Sequence, residues 1–309
     1  MPCKNCSINP VIELPNSNVN LCKNCFIKYF ESKAFKTIRQ YNLLEDSNSI
    51  AVGISGGKDS LTVLYILNKI ASTRKNLKLI AILIDEGIHD YRDITIENAK
   101  RFCKENKIEL KIYSYKDEFG KSLDEFLKIM NDRKIKLKAC TICGVFRRYL
   151  LNKKARELKV NKLATGHNLD DEAQAILMNQ FKGNIDVSAR LGPITGIIKD
   201  KRFIPRIKPL YFLTEKEVAT YAFLKKFVDK YCECPNAEES YRIAVRDMLN
   251  EFENRYPGSK HAIINSFIEI LPNLKEKFKN VNSIKDCKIC NEPCSSDVCK
   301  ACELLEKLR

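Results

Sequence analysis

Residues 49–60 read SIAVGISGGKDS, and this stretch decides the fold of the 309-residue chain. β-Branched and other apolar residues predict a strand over Ser49–Ser55, and the stretch Leu61–Ile70 is typical of a helix. Between them, Gly56 and Gly57 allow a tight turn that brings main-chain N–H groups against an anion, and the start of the helix adds its positive end. The segment is a predicted phosphate cradle, although it lacks the G-x-x-x-x-G-K-[ST] order of nucleotide-triphosphate motors.

Further strands are predicted downstream, as short β-branched runs with helix-like stretches between them. They are Leu77–Asp85, Ile108–Tyr115 and Lys162–Thr165. This alternation is typical of an α/β fold with a Rossmann-like, doubly wound parallel sheet. Because ligands of such sheets bind beyond the carboxyl ends of the strands, we expect the loops that start at Ser55, Asp85 and Gly166 to meet at one crevice.

The later part of the chain is predicted to be helical. Thr214-Glu215-Lys216-Glu217 is a capping box that opens a helix through about Lys226, and the remainder to about Asn280 also looks helical. Together with the terminal cysteine motifs, this divides the chain into a small domain at 1–28, a catalytic domain at 29–280 and a second small domain at 281–309.

Cysteine usage indicates metal binding. The chain has 14 cysteines, and its opening MPCKNCSINP shows no apolar secretion signal, so disulfides are not expected in a reducing cytoplasm. No apolar run approaches the roughly 18 residues that would span a bilayer. A cytoplasmic location is therefore expected. The C-x-x-C pairs are Cys3/Cys6, Cys22/Cys25, Cys140/Cys143, Cys287/Cys290 and Cys299/Cys302.

The terminal pairs predict two structural zinc ribbons. One would use Cys3, Cys6, Cys22 and Cys25, and the other Cys287, Cys290, Cys299 and Cys302. These segments have almost no core of their own, and a tetrahedral four-thiolate zinc site supplies roughly 10–16 kcal/mol to the folding of such peptides. Cys294 lies within the second ribbon and is expected to be a bystander.

The charge of the chain favours a nucleic-acid partner. The formal net charge is +15, from 54 Lys and Arg against 39 Asp and Glu, which makes the surface attractive to a polyanion. The basic segment Lys199–Lys208 could hold RNA phosphates; a solvated charge run is the equal alternative. Charge alone does not decide between RNA binding and a generally lysine-rich surface.

The central pair Cys140-Thr-Ile-Cys143 precedes Gly144, where a helix is predicted to begin, with Arg147 and Arg148 one turn on. Thiols at such a helix start are stabilised as thiolates, so this pair is expected to be reactive or metal-bound. A third structural zinc would need two more ligands. Two thiolates plus one from Tyr231-Cys232-Glu233-Cys234-Pro235 would instead suit an iron–sulfur cluster with one open iron.

A third motif, Thr165-Gly-His-Asn-Leu-Asp-Asp-Glu-Ala173, again ends a strand and opens a helix. It offers carboxylates where Mg²⁺ and a pyrimidine would have to be handled. His167 within it is more often a packed polar residue than a catalyst in such a setting.

The SGGKDS loop resembles that of the PP-loop ATP pyrophosphatases, which cut ATP between its α and β phosphates. Over nearly its whole length, the chain is similar to the tRNA 2-thiouridine synthetase family: tRNA thiolases of archaea, the eukaryotic cytosol and thermophilic bacteria. The motifs that carry the likeness are the double knuckle at Cys3–Cys25, SGGKDS at Ser55–Ser60, CTIC at Cys140–Cys143, TGHNLDDEA at Thr165–Ala173, ECP at Glu233–Pro235, and CKIC with CKAC at Cys287–Cys302.

The resemblance implies ATP, Mg²⁺, a [4Fe-4S] cluster and two Zn²⁺ ions as cofactors. It implies that Cys140, Cys143 and Cys234 bind the cluster, with Cys232 the less favoured third ligand. The nucleotide site it implies comprises Ser55, Gly56, Gly57, Asp59, Ser60, Ile84, Arg147, Gly166 and Asp171. Where relatives often carry Lys, this chain has Arg147, which keeps the charge but leaves an acid role in doubt.

The implied reaction is ATP-dependent adenylation of the C2 oxygen of a tRNA uridine, followed by sulfur transfer to C2 and release of AMP. The partners would be tRNA and a sulfur donor, which the sequence leaves open among sulfide, a persulfide and a ubiquitin-like thiocarboxylate protein. A homodimer is suggested by the resemblance alone. The rival hypotheses are another PP-loop tRNA-modifying enzyme of 2-thiocytidine or lysidine type, and a non-catalytic zinc-ribbon RNA-binding protein.

Overall fold

The computed structural model describes residues 2–45, 47–74, 76–198, 200, 202–228, 232–237, 241–279 and 284–308. Within these ranges the chain folds around a five-stranded parallel sheet. The chain reaches the sheet after an N-terminal hairpin, β1 (Ile12–Leu14) and β2 (Val19–Leu21), and helix α1 (Lys23–Gln40). The sheet strands are β3 (Ser49–Ile54), β4 (Lys78–Asp85), β5 (Glu109–Ser114), β6 (Lys162–Ala164) and β7 (Arg206–Ile207).

Helices cover the sheet, and a second hairpin follows them. The helices are α2 (Lys58–Ala71), α3 (Arg92–Glu105), α4 (Tyr115–Phe119), α5 (Leu123–Asp132), α6 (Ala139–Glu157), α7 (Leu169–Phe181), α8 (Ile185–Ser188), α9 (Glu215–Leu224), α10 (Tyr241–Arg255) and α11 (Ser259–Phe278). The C-terminal hairpin, β8 (Lys285–Asp286) and β9 (Pro293–Cys294), leads into α12 (Lys300–Leu308). Within the described ranges, no helix is long and apolar enough to cross a membrane.

The strand order β5-β4-β3-β6-β7 places the first strand of the sheet, β3, at its centre. The chain adds strands first on one side of β3 and then on the other, so the direction of winding reverses between β3 and β6. The carboxyl ends of these two strands therefore open a crevice at which ligands of doubly wound sheets bind.

Alternate residues along the strands face two separate apolar cores. Ile50 and Val52 pack on one side of the sheet, in the core shared with α1, α2 and α9, whereas Ala51 packs on the other side. The second core contains apolar residues of α5, α6 and α12. The N-terminal hairpin joins the first core and the C-terminal hairpin the second, so the two cysteine ribbons lie on opposite faces of the sheet. Helices α10 and α11 pack with α7 in a third apolar cluster beside the crevice.

The predicted α/β fold and its four strands are confirmed to within a residue or two. The capping box at Thr214 is present, with Thr214 Oγ1 accepting from the Glu217 N–H and the Glu217 carboxylate from the Thr214 N–H. The predicted helix start at Gly144 is wrong, because the helix begins at Ala139 with Lys138 in the extended N-cap position. Helix α1 runs across the predicted domain boundary at residue 28, and the boundary at 280/281 lies outside the described residues.

Candidate active site

The phosphate loop joins β3 to α2 and is held in shape by its own serines. Ser60 Oγ accepts from the Ser55 N–H at 3.1 Å and donates to the Gly57 carbonyl oxygen at 3.0 Å. Gly56 has φ of 81°, and a Cβ atom there would lie 1.9 Å from the Thr95 carbonyl oxygen, so only glycine fits. Gly57 caps α2, and no described side chain caps its first N–H groups. These groups are available to an anion.

The loop after β6 lies directly against the phosphate loop. A Cβ atom on Gly166 would be 2.9 Å from the main-chain carbon of Asp59 and 2.9 Å from the nitrogen of Ser60. Across this contact, Asn168 Nδ2 donates to Asp59 Oδ1 at 3.1 Å, and Lys58 Nζ donates to Asp59 Oδ2 at 3.0 Å. The loops that follow Ser55 and Gly166 therefore meet, as their positions in the sequence indicated.

Asp171 lies in the first turn of α7 and faces the same crevice. Its N–H donates to Asn168 Oδ1 at 3.1 Å, and its Oδ1 accepts from Arg242 Nη1 at 3.2 Å. Burial raises the pKa of Asp171 to about 6, with Arg242 opposing and Asp59 adding to the effect. Two neighbouring carboxylates of this kind suit a hard divalent cation, whose oxygen ligands they would supply.

His167 is neutral in this arrangement. Its Nδ1 lies 2.9 Å from Thr165 Oγ1. Desolvation inside the crevice and, to a smaller extent, nearby cations together lower its pKa to about 3; the cations are Lys208, Arg242, Arg206 and Arg147. The crevice around His167 is therefore strongly electropositive.

Thiols from two distant stretches meet at the start of α6. Cys140 Sγ donates to the main-chain oxygen of Asn236 at 3.1 Å, two residues beyond Cys234. Cys143 and Cys234 pack on the same apolar core, and Cys234 is close enough to raise the pKa of Cys143, as Cys140 raises that of Cys234. The thiol of Cys232 instead donates to the Tyr91 carbonyl oxygen at 3.9 Å. The sequence-predicted trio of Cys140, Cys143 and Cys234 is therefore brought together.

The thiolate character expected from the helix start is not found at Cys143. Burial raises its pKa to about 11; Arg147 opposes this effect, while Glu86 and Cys234 add to it. Tyr115 Oη donates to the Cys143 carbonyl oxygen at 2.8 Å, which fixes the helix rather than the sulfur. A metal that binds this thiol must displace its proton.

Glu86 and Arg92 were missed by the sequence analysis. Glu86 directly follows β4 and is 1% exposed, with its Oε2 2.6 Å from Arg92 Nε and its Oε1 3.5 Å from Arg147 Nη1. Arg92 Nη1 also donates to the Ser55 carbonyl oxygen at 2.9 Å, and its Nη2 to that of Ile84. These charged side chains, buried at Arg92 and Glu86 and exposed at Arg147, therefore connect the phosphate loop to the helix that carries the cysteines.

The sequence did carry a signal for Glu86, which is a carboxylate directly after a predicted strand, in Asp85-Glu86-Gly87. Ile84 itself has a buried side chain, and its carbonyl oxygen is the one that Arg92 uses. Its assignment to the nucleotide site stays a prediction.

The two terminal ribbons have the geometry of four-thiolate metal sites. In each set, Cys3/Cys6/Cys22/Cys25 and Cys287/Cys290/Cys299/Cys302, the four Sγ atoms lie within 4.8 Å of one another. The main-chain N–H of Cys22 lowers the pKa of Cys3 to about 6. In the second ribbon, burial raises the pKa of Cys287, but N–H donors led by that of Cys299 outweigh it and bring it to about 6. Main-chain N–H groups therefore stabilise a thiolate in each ribbon, whereas the neighbouring Cys22 thiol raises the pKa of Cys25 and burial raises that of Cys299. Four cysteines in this arrangement are the ligands that structural zinc prefers.

The central thiols form a more open group. Among the described residues, Cys140, Cys143 and Cys234 do not gather within the 4.8 Å that both ribbons satisfy. An iron–sulfur cluster binds each thiolate through a different iron, so its ligands stand farther apart than those of one ion. Cys140 is also exposed, which leaves one side of the group open. The donor set fits a cluster with an accessible iron better than a third closed zinc site.

The PP-loop domain family matches residues 28–251 of the chain. Three relatives match nearly all of it. A probable sulfurtransferase of Methanocaldococcus jannaschii is 41% identical, covering 95% of this chain and 84% of the relative. The cytoplasmic tRNA 2-thiolation protein 1 of Dictyostelium discoideum is 37% identical, covering 99% of this chain and 83% of the relative. The tRNA-5-methyluridine(54) 2-sulfurtransferase of Pyrococcus horikoshii is 35% identical, covering 98% of this chain and 93% of the relative.

A solved structure extends this similarity to the fold. The U34-tRNA thiolase NcsA from Methanococcus maripaludis, determined with its [4Fe-4S] cluster, superposes with a TM-score of 0.84 at 36% identity, covering 100% of this chain and 96% of that one. The likeness includes both the sheet with its phosphate loop and the terminal ribbons, since nothing of the chain is left uncovered. The chain therefore belongs to the family of PP-loop tRNA 2-thiolation sulfurtransferases.

Proposed function

We propose that this protein uses ATP to replace the C2 oxygen of a tRNA uridine with sulfur. The observation that carries the proposal is the series of contacts from the Ser55 carbonyl oxygen through Arg92 and Glu86 to Arg147, which connects the phosphate loop to the cysteine helix at one crevice. A phosphate cradle and three thiols side by side suit a reaction in which an oxygen is first activated by ATP and then displaced by sulfur.

ATP would bind with its phosphates on the loop. Ser55, Gly56, Gly57 and Ser60 supply the N–H and hydroxyl donors, and the N-terminal end of α2 adds its dipole. Asp59 and Asp171 are the carboxylates placed to hold Mg²⁺ against those phosphates. Gly166 lets the loop after β6 pack against the phosphate loop, because a side chain there would strike the main chain of Asp59 and Ser60.

The reaction has two steps. The uridine C2 oxygen attacks the α-phosphorus of ATP, the bond to the β-phosphate oxygen breaks, and pyrophosphate leaves with that electron pair. A sulfide sulfur then forms a bond to C2, the C2–O bond breaks, and AMP leaves with the oxygen. No electron is gained or lost when the sulfur enters as sulfide, and a persulfide donor would need a thiol reductant. Arg147, on the side of the thiols, would stabilise the negative charge that develops on the leaving phosphate.

Cys140, Cys143 and Cys234 would hold a [4Fe-4S] cluster. When bound, such a cluster offers an iron without a protein ligand, at which sulfide can be held. The chain's own part is to keep three thiols open on one side and a guanidinium next to them. The lysidine alternative does not account for both features together, since an amine nucleophile requires no thiols. A 2-thiocytidine enzyme also inserts sulfur, so the modified base in the product, and not the thiols, separates it from this proposal.

The two ribbons would hold structural Zn²⁺, and the chain would divide at 1–28, 29–280 and 281–309 into ribbon, catalytic domain and ribbon. A cytoplasmic location is supported by the name of the Dictyostelium relative and by thiols that must stay reduced. A homodimer, supported by the family resemblance alone, would be tested by sedimentation. The relatives differ in the uridine that their names specify, position 34 or 54, and both lie in loops from which a base can be splayed out.

Anaerobic reconstitution of the full chain with iron and sulfide tests the proposal. Cys234→Ser is expected to lose both the iron and the formation of 2-thiouridine in unmodified tRNA, measured by nucleoside mass spectrometry. Cys232→Ser is the matched control and is expected to keep both, because its thiol donates to Tyr91 instead.

ATP-dependent thiolation that survives Cys234→Ser would refute the role of that thiol. ATP-dependent attachment of an amine would favour the lysidine alternative. RNA binding with no ATP consumption under any condition would favour the binding protein.

A further inference from the structure

Most cations of the crevice are neutralised by a carboxylate. Lys208 Nζ lies 2.7 Å from Glu172 Oε1, and both side chains are almost fully buried. Arg242 pairs with Asp171 at 3.2 Å, as described above. The Lys208–Glu172 pair is internal to the fold, and Arg242, although 42% exposed, already has a carboxylate partner in Asp171. Neither cation is therefore without a counter-ion.

Arg148 and Arg206 differ from these neighbours. No carboxylate in the described ranges lies within ion-pair distance of either guanidinium. Arg206 Nη2 donates to the main-chain oxygen of Arg148, at 3.3 Å. Two cations on separate elements, α6 and β7, therefore lie close enough to repel each other, with no counter-ion among the residues that the structure describes.

Their placement points to the thiol side of the crevice. The guanidinium of Arg148 folds back along α6 and covers Gly144, so that a Cβ atom on Gly144 would be 3.3 Å from Arg148 Nη1. Gly144 follows Cys143 directly. Desolvation and the repulsion of Arg148 lower the pKa of Arg206 to about 10, which still leaves it charged at neutral pH. Arg148 is exposed and Arg206 is half-buried, so an anion can reach both guanidinium groups from solvent and would relieve their mutual repulsion.

Resting on the proposed function, we propose that Arg148 and Arg206 form a binding site for a phosphodiester of the RNA substrate next to the target uridine. A guanidinium binds phosphate oxygens with two parallel N–H donors, and contacts of this kind position a nucleotide without reading its base. A flipped uridine held by its own backbone beside Cys143 would present C2 to the thiols.

ATP is the other source of phosphate in this crevice, and two observations favour RNA. The phosphates of ATP are expected on the phosphate loop at the start of α2, where the first N–H groups of the helix have no side-chain cap, whereas Arg148 lies on α6. In the segment Lys199–Lys208, where RNA contacts were predicted, Arg206 is the only described cation with no carboxylate partner. Arg202 in that segment is paired with Asp200, Lys208 is paired with Glu172, and Lys199 and Lys201 lie outside the described residues.

The test measures RNA binding apart from catalysis. Full-length, anaerobically reconstituted protein is titrated with an unmodified tRNA transcript, without ATP, at several salt concentrations. Arg148→Gln and Arg206→Gln are each expected to weaken binding about tenfold and to reduce the slope of log affinity against log salt by about 1. Arg148→Lys and Arg206→Lys, which keep the charge, should lose less. Arg255→Gln on α10 is the matched control, since it removes an equal charge from an exposed ion pair with Glu251.

A second titration with a non-hydrolysable ATP analogue separates the two sources. Unchanged ATP affinity and unchanged iron content in the Gln variants support the proposal, whereas a loss of ATP affinity assigns the arginines to the nucleotide and overturns it. Unchanged tRNA affinity overturns it too. If the wild type binds tRNA through these arginines but forms no thiouridine, the proposed function fails and this inference stands.

Discussion

Glu86 Oε2 and Arg92 Nε lie 2.6 Å apart in the interior, where both side chains are at most 3% exposed. Arg92 also donates to the Ser55 carbonyl oxygen, directly after β3, and Glu86 also lies near Arg147 of α6. This ion pair therefore fixes the phosphate loop relative to α6. Glu86→Gln would leave two guanidinium groups without their carboxylate. We expect the free energy of unfolding to fall by about 3–5 kcal/mol, measured by urea titration.

Glu105→Gln is the control for that change. Its partner Arg101 is 4.0 Å away and its own side chain is 64% exposed, so a loss of at most about 1 kcal/mol is expected. Similar losses in the two variants would mean that the buried pair has no special structural role.

Gly56→Ala is expected to reduce ATP affinity at least about tenfold and to destabilise the fold. The added Cβ atom would overlap the Thr95 carbonyl oxygen, and the backbone would have to leave its left-handed conformation. Gly183→Ala separates these causes, since Gly183 has φ of 65° with open space around it. It should cost only about 1–2 kcal/mol of strain and leave ATP affinity unchanged, as calorimetric titration with an ATP analogue would show. Normal ATP affinity in Gly56→Ala would contradict the rigid cradle.

Cys299→Ser is expected to abolish metal binding by the C-terminal ribbon, and Cys294→Ser to preserve it. Cys299 Sγ belongs to the compact four-sulfur group, whereas Cys294 Sγ donates to the Ser296 carbonyl oxygen at 2.9 Å. Because metal binding supplies roughly 10–16 kcal/mol to such ribbons, Cys299→Ser should also unfold this one. Elemental analysis and limited proteolysis would measure the two effects. One zinc lost in both variants would show that Cys294 is a ligand.

His167→Gln is expected to leave the dependence of thiolation rate on pH unchanged between pH 5.5 and 8. The pKa of His167, lowered to about 3, keeps the ring neutral throughout that range. Its folded pKa lies below the unfolded value, so the stability it contributes is complete above about 6.5 and is lost as the pH falls towards 3. The urea midpoint of the wild type should therefore drop more between pH 7 and 5 than that of His167→Gln. A change in the wild-type thiolation rate near pH 6.5 that is absent from His167→Gln would contradict this prediction.

Most of the fold could be predicted from local sequence patterns. The β-branched runs, the Gly56–Gly57 turn and the capping box at Thr214 each act over a few residues, so their positions could be predicted from sequence. The strand at Arg206–Ile207 was missed because two residues are too few for a pattern to show. The C-x-x-C spacing predicted the two groups of four ribbon cysteines, since a cysteine knuckle is itself a local structure.

The central site was only partly predictable. The motifs named Cys140, Cys143 and Cys234, but the partners of Glu86, Arg92 and Arg206 depend on contacts between distant elements, which a single sequence does not reveal. The prediction of a thiolate at Cys143 was wrong for the same reason. Helix position and a nearby arginine are local signals, whereas the burial that raises its pKa is a property of the assembled fold.

The C-terminal ribbon shares its apolar core with α6, the helix that carries Cys140 and Cys143. Leu304 and Leu308 of the ribbon belong to the same core as Phe146 and Leu150 of that helix. If the ribbon holds the proposed zinc, a chelator that removes it would destabilise the core that supports Cys140 and Cys143 without ever entering the crevice. Zinc supply to one end of the chain would then be a condition for the reaction at its centre.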